Sequence, residues 1–194
     1  MAKTGKKVKP ESKTETKVKI ENIVSSITLG QDINIKKFAT SVKGVENPQR
    51  FPGLIFRIAE PRVSMLIFRT GKVICSGARS RSDIDKAVEI LLAKLKEGKI
   101  KILAKPKIEI QNIVASSSVG FKINLDQLAL SCENTEYEPE QFPGLVFRLD
   151  EPHTVMLLFR SGRMIITGAK THADAKAAAE KTKEIVEGIE DAAI

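Results

Sequence analysis

Cysteine and histidine are scarce in this chain, and long apolar runs are missing altogether. Among its 194 residues there are two Cys and two His. Cys75 and Cys132 form neither a disulfide framework nor a zinc spacing, and both read as small buried hydrophobes. His153 and His172 stand alone, with no glycine-rich phosphate loop and no nucleophile-base constellation, so nothing points to catalysis, a metal or a cofactor. No apolar run approaches membrane-spanning length, and no apolar segment follows the N-terminal lysines as a secretory signal requires. The expectation is a soluble, cytoplasmic protein with no membrane partner, one that binds without reacting.

Positive charge is present but unevenly placed. The formal charge is +8, and residues 1 to 19 hold seven Lys and two Glu, a net of +5, which leaves +3 for the rest. That leader lacks aromatics and periodicity, as a disordered tail does; it serves either phosphate attraction or solubility. Because the remainder is only mildly basic, any nucleic-acid reading has to rest on where charge and apolar groups stand.

The strongest internal signal is a repeat. Phe51-Pro52-Gly53-Leu54, continuing through Arg57, Glu60-Pro61, Met65-Leu66 and Phe68-Arg69, recurs 91 residues later as Phe142-Pro143-Gly144-Leu145, with Arg148, Glu151-Pro152, Met156-Leu157 and Phe159-Arg160. Between Phe51–Arg79 and Phe142–Lys170, 16 of 29 positions are identical, which chance does not produce. A unit of this length present twice indicates a duplicated half-domain with a pseudo-two-fold axis. Duplex DNA has matching dyad symmetry.

Each copy reads as strand, short helix, a run of strands, long helix. The first strand is Ile20 to Leu29 in one copy and Ile110 to Val119 in the other, both β-branched. Parity places Ile20, Asn22, Val24 and Ser26 on one face, and Asn112, Val114 and Ser116 likewise in the copy. Asn34 and Asn124 stand as N-caps of helices from Ile35 to about Val42 and from Leu125 to Leu130. Three hairpin-connected strands follow, roughly Leu54–Ala59, Val63–Arg69 and Lys72–Ala78. Ser80 with Asp83, and Thr171 with Asp174, have capping-box spacing ahead of long helices. Ile84, Val88, Leu91, Leu92 and Leu95 form the apolar stripe of the first, and Ala175, Ala179, Thr182, Val186 and Ile189 that of the second.

About ten strands against four helices make an α+β layering in which the helices cover one face of an antiparallel sheet. The strands are nevertheless apolar on both parities, so an apolar face is left over. It includes Leu66, Phe68 and Ile74, with Ser76, and in the copy Leu157, Phe159, Ile165 and Thr167. Asn22 and Asn112 add neutral amides, while Arg57, Lys72, Arg148 and Arg163 add a basic rim. Apolar centre, few amides and basic edge match a DNA minor groove, with its acceptors at A·T pairs and phosphates alongside. Plainer readings exist for each group: phenylalanines in the core, asparagines satisfying nearby backbone, arginines on a solvated edge.

The order Asn-Ile-Val, Tyr-Glu-Pro-Glu-Gln-Phe-Pro-Gly-Leu, Glu-Pro, Leu-Leu-Phe, Ser-Gly-Arg and Thr-Gly-Ala-Lys closely resembles the TATA-box-binding protein family, its archaeal members in particular, over about residues 18 to 190. The resemblance implies a saddle: a curved antiparallel sheet of about ten strands with four helices on the convex face. It divides the chain into a basic tail (1–17), a first repeat (18–101) and a second (102–190). It implies a general transcription initiation factor on A·T-rich promoter DNA, associated with the chromosome. Phe51 with Phe68 and Phe142 with Phe159 correspond to the family's DNA-kinking wedges. Asn22, Val24, Ser26, Leu66, Ile74 and Ser76, with Asn112, Val114, Ser116, Leu157, Ile165 and Thr167, correspond to the minor-groove floor. Arg57, Lys72, Arg148 and Arg163 correspond to phosphate contacts.

The copies differ most before the phenylalanines, where Tyr137-Glu138-Pro139-Glu140 is acidic and Glu46-Asn47-Pro48-Gln49-Arg50 is not. In the family the acidic loop docks transcription factor B, which would make Glu138 and Glu140 its contacts and RNA polymerase an indirect partner. Arg69 and Arg160 stand where many relatives have a small residue, and serve either as added phosphate attraction or as a solvated edge. Whether two copies pair when free of DNA is left open. The competing reading is a related saddle-like module for another nucleic acid or an apolar ligand.

Overall fold

A computed structural model describes residues 16–49 and 51–194. Most of the basic leader and Arg50 lie outside the described residues. The first repeat comprises β1 (Lys19–Thr28), α1 (Ile35–Ser41), β2 (Val45–Glu46), β3 (Gly53–Ile58), β4 (Val63–Phe68), β5 (Lys72–Ala78) and α2 (Arg81–Glu97). The second comprises β6 (Lys107–Ser118), α3 (Leu125–Ser131), β7 (Thr135–Glu136), β8 (Gly144–Leu149), β9 (Thr154–Phe159), β10 (Arg163–Ala169) and α4 (His172–Gly188).

All ten strands join one antiparallel sheet in the order β2-β3-β4-β5-β1-β6-β10-β9-β8-β7, which maps onto itself when the repeats are exchanged. Its centre is the β1–β6 pair. Ile23 faces Ile113, its own counterpart, and on either side Asn22 faces Val114 and Val24 faces Asn112. Such reciprocal contacts are what a two-fold interface requires, so the pseudo-dyad passes through the Ile23–Ile113 pair.

The helices take one face of the sheet. Asn34 and Asn124 accept from the backbone N–H of Lys37 and Gln127 and so start α1 and α3. Ser80 and Asp83 form a reciprocal capping box on α2, as Thr171 and Asp174 do on α4. The backbone N–H of Arg79 holds the Asp83 carboxyl below its usual range, and the Thr171 hydroxyl does the same for Asp174. Ile84, Ala87, Val88, Leu91 and Leu95 are buried under α2, whereas Leu92, expected in the stripe, is only half-buried. Under α4 the buried set is Ala175, Ala178, Ala179, Thr182 and Val186.

Burial alternates strictly along β4 and β9. Val63, Met65 and Ile67 are buried against helices while Ser64, Leu66 and Phe68 are half-exposed; Thr154, Met156 and Leu158 alternate likewise with Val155, Leu157 and Phe159. Period-two pleating with helices on one side leaves the second apolar row in water. Cys75 is buried on the helix side, where desolvation pushes its thiol up to about 11. Cys132, expected to be buried, caps α3 and is half-buried.

Three further features differ from the sequence reading. The strands β2 and β7 are two residues long and give no periodic signal. Strand β6 begins at Lys107, extended by pairing Lys107, Ile108 and Glu109 with Thr28, Ile27 and Ser26. Ile20, assigned by parity to the face of Asn22, instead pairs with Ala115, which pairs in turn with the fully buried Ile166. The reason is a bulge: the register skips Glu21 in β1, and its counterpart Gln111 in β6, so parity inverts there. Among the described residues no helix is long and apolar enough to cross a membrane.

Candidate nucleic-acid interface

The face without helices is organised in rows that run across the strands. In the first repeat Ile55, Leu66, Ile74 and Ser26 are successive cross-strand partners; in the second the row is Val146, Leu157, Ile165 and Ser116. Each row is apolar for three strands and ends in serine at the centre. A parallel row carries Arg57, Ser64 and Ser76 in one repeat and Arg148, Val155 and Thr167 in the other. The minor-groove candidates therefore converge on one surface, with Ile165 37% exposed.

Beyond the rows lie the aromatic pairs. Phe51 and Phe68 have ring centroids 5.7 Å apart and tilted planes, and Phe142 and Phe159 are 6.0 Å apart, edge to face. The Phe-Pro-Gly sequence makes this possible. A Cβ at Gly144 would stand 2.6 Å from the Phe142 ring, and one at Gly53 would stand 2.8 Å from the Ile67 carbonyl oxygen and 3.1 Å from the Phe51 ring. Glycine lets each ring fold back over the strand to meet its partner. Phe142 remains 41% exposed, at odds with a core role.

Asn22 and Asn112 have a dual environment. Gly77 in β5 and Gly168 in β10 adopt φ of +104° and +94° at bulges where β1 and β6 skip register. The ladder leaves their N–H groups unpaired, and the Oδ1 atoms of Asn22 and Asn112 accept them, each at 2.7 Å. A side chain at Gly77 would in addition meet the Arg62 carbonyl oxygen at 2.7 Å. Satisfaction of nearby backbone is thus real, but it occupies only the carbonyl end of each amide. It fixes which end of the amide meets the backbone, leaving Nδ2 as the end that is free to donate elsewhere. Asn112 Nδ2 lies 3.1 Å from Thr167 Oγ1.

The bulges of the central β1–β6 pair bring in two residues that parity had not selected. Glu21 accepts from Ser116 Oγ at 2.7 Å, and its counterpart Gln111 donates to Ser26 Oγ at 2.8 Å. These contacts cover the two serines, and Ser26 is buried. The Ser116 hydroxyl, and then Lys19, hold the Glu21 carboxyl below its usual range. A bulge leaves no sequence signature at these positions, although the inequality of Glu21 and Gln111 is visible once the repeats are aligned.

The basic rim is present but engaged. Arg57 pairs with Glu46, and Arg148 Nη2 lies 3.7 Å from Glu136. Lys72 and Arg163, at the starts of β5 and β10, are exposed. Arg62, not singled out from the sequence, joins Arg57, Ser64 and Ser76 around a shallow groove of about 550 Å³. Arg69 and Arg160 turn instead toward Asp32, at 2.7 Å, and Asp126, at 3.5 Å, beside the starts of α1 and α3. Glu138 and Glu140 are exposed in the β7–β8 loop, where the Gln141 side-chain amide donates to Glu138.

A family model described as transcription factor TFIID, or TATA-binding protein, matches residues 17–98 and again 107–189, one match per repeat. The chain belongs to the TATA-box-binding protein family. It is 46% identical over 171 residues to the TATA-box-binding protein of Archaeoglobus fulgidus, covering 87% of this chain and 93% of that one. It is 47% identical over 171 residues to that of Methanothermobacter thermautotrophicus, covering 88% and 94%. Among solved structures, Methanococcus jannaschii TBP superposes with a TM-score of 0.83 at 44% identity, over 89% of this chain and 99% of that one. The saddle of the TATA-box-binding protein family is therefore the fold of this chain, and the two matches fall on the two halves of its palindromic sheet.

Proposed function

We propose that this chain is a general transcription initiation factor that grips the minor groove of A·T-rich, TATA-box promoter DNA with its concave sheet face. The observation that carries the reading is the make-up of that face: two apolar rows related by a pseudo-dyad, each beside an asparagine whose carbonyl is already used. A·T pairs offer only acceptors in the minor groove, whereas G·C pairs add the guanine amino group. An amide that presents a donor, set among apolar side chains, suits the first and clashes with the second.

In this reading residues 18–101 and 102–190 each contact one half of the site, and the basic residues 1–17 add phosphate attraction that is independent of sequence. Asn22, Asn112, Ser76 and Thr167 meet base edges, and Val24, Val114, Leu66, Leu157, Ile74 and Ile165 pack on the groove floor. Ser26 and Ser116 act through Gln111 and Glu21. The pairs Phe51–Phe68 and Phe142–Phe159 enter base steps at the two ends of the site and kink them, a mechanism this family is known for. Arg57, Lys72, Arg148 and Arg163 contact phosphates, the two arginines exchanging a carboxylate for a phosphate as DNA arrives. The acidic loop at Glu138 and Glu140 recruits transcription factor B, and through it RNA polymerase, so the protein works on the chromosome and performs no catalysis. Free of DNA, the same apolar face is the surface through which two copies would pair.

The test is a gel shift of an A·T-rich duplex against a G·C-rich one over a salt series. Preference for the A·T duplex, with affinity falling as salt rises, is the expected result. Equal binding to both duplexes, or an affinity indifferent to salt, overturns the proposal.

A further inference from the structure

Arg69 and Arg160 are equivalent residues, and each directly follows the second wedge phenylalanine of its repeat. Each meets a carboxylate, Asp32 at 2.7 Å and Asp126 at 3.5 Å. Those carboxylates are not equivalent. At the offset of 90 that aligns this part of the repeats, Asp32 corresponds to Lys122 and Asp126 to Lys36. The arginine was duplicated with the repeat, whereas the carboxylate that receives it comes from a different position in each half. Both halves thus carry the same pairing, built in two ways.

The backbone holds the base of each side chain and leaves its head in water. The Arg69 carbonyl accepts from Ile33 N–H at 2.7 Å and the Arg160 carbonyl from Ile123 N–H at 2.9 Å, while the N–H groups of Gly71 and Gly162 close the turns onto the Phe68 and Phe159 carbonyls. These turns sit tightly on the loops before α1 and α3. A Cβ at Gly71 would stand 2.0 Å from the Gln31 carbonyl oxygen, and one at Gly162 would stand 1.9 Å from that of Phe121. The arginine side chains are nevertheless 70% and 67% exposed, and their aspartate partners 66% and 65%. Ion pairs as open as these contribute little to stability, and the turns are already held without them. Holding the fold does not account for the pairs.

Position limits what the two heads can meet. Phe68 and Phe159 stand immediately before them and Lys72 and Arg163 three residues after, so each arginine lies between a wedge and a phosphate contact of the proposed function, on which this inference rests. The phenylalanines take the groove parity of β4 and β9, and the next residue turns to the opposite face, toward the starts of α1 and α3. That aims the guanidinium past the groove floor, at the end of the site where the wedge opens a base step. We propose that Arg69 and Arg160 clamp phosphates of the duplex flanking the two kinks, each resting on its aspartate until DNA displaces the carboxylate. A guanidinium fits phosphate as it fits carboxylate, through paired N–H donors. Such contacts carry no sequence information, so the grip extends beyond the A·T element whatever its flanks.

Fluorescence anisotropy of the full chain over a salt series tests this on two A·T-rich duplexes, one blunt at the element and one carrying roughly eight further base pairs on each side. Arg69→Ser with Arg160→Ser is expected to lower the salt slope by about two on the flanked duplex and by less on the blunt one. Asp32→Asn with Asp126→Asn is expected to tighten binding to the flanked duplex roughly twofold or more. That gain should vanish when both arginines are serine, as a general gain of positive charge would not. All four side chains are exposed, and circular dichroism with thermal unfolding confirms that the variants fold. The proposal is overturned by a salt slope that the arginine changes do not move, by an equal fall on both duplexes, by asparagine variants that bind no more tightly than wild type, or by a gain that persists without the arginines. The wild-type preference for an A·T-rich over a G·C-rich duplex is read in the same assay. Its absence marks failure of the promoter reading, and its presence beside any of the four results marks failure of the clamps alone.

Discussion

Asn22 separates what holds the fold from what reads DNA. Its Oδ1 accepts from Gly77 N–H at 2.7 Å and lies 3.4 Å from Ser76 Oγ, while its Nδ2 donates to nothing among the described residues. Asn22→Ala removes both ends. Because Gly77 is exposed, water replaces the lost acceptor, so the cost is that of an ordinary net hydrogen bond, about 0.5–1.5 kcal/mol. For a chain of this size that lowers Tm by roughly 1–6 °C. Asn22→Asp keeps an acceptor for Gly77 and loses less stability. On DNA the ranking reverses. The alanine variant forfeits one donor, a loss of roughly 2- to 13-fold in affinity. The aspartate variant also aims a carboxylate at base acceptors and between phosphates, and falls further, beyond about tenfold. Thermal unfolding should therefore order the proteins wild type, Asp, Ala, and anisotropy on an A·T-rich duplex should order them wild type, Ala, Asp. If both measurements give one order, or if the aspartate variant binds like wild type, the division of the amide into a structural and a reading end is wrong.

Three further outcomes follow from the same geometry. Phe142→Ala with Phe159→Ala should abolish bending at one end of the site, read by energy transfer between end labels, while circular dichroism is unchanged; unaltered bending rejects the wedges. Arg148→Ala should weaken binding across sequences and lower the salt slope by about one, whereas Glu136→Gln, which frees Arg148, should strengthen binding. A Glu136→Gln protein that binds no better shows that the ion pair does not compete with phosphate. Glu138→Arg with Glu140→Arg should leave duplex affinity intact and abolish the ternary complex with transcription factor B in a native gel; a persisting complex moves that interface elsewhere.

Local chemistry made much of the architecture legible in advance. Capping residues, breaker dipeptides and apolar alternation each act within a few residues, so the caps at Asn34, Asn124, Ser80 and Thr171, and the opposed faces of β4 and β9, could be read directly. The duplication extended this reach, because one chain supplied two readings of each element and the excess of apolar strand over helix exposed a face with nothing to cover it. Repeat and pattern therefore determined the two-fold plan and an apolar sheet face without helices, and the family resemblance supplied the saddle and the roles of its residues.

Tertiary structure decided what depends on register between distant strands. The bulges at Glu21 and Gln111 turned Ile20 to the helix side and set two unequal polar groups against the central serines, which strand parity cannot foresee. The bulges at Gly77 and Gly168 gave the asparagines their fixed orientation. Pairing Arg57 and Arg148 with Glu46 and Glu136, and Arg69 and Arg160 with Asp32 and Asp126, likewise needed the edge strands and helix starts to meet. An apolar pattern selects a face because burial is non-directional and additive along the strand. A hydrogen bond or ion pair needs two particular atoms within about 3 Å, and only the assembled sheet sets that distance.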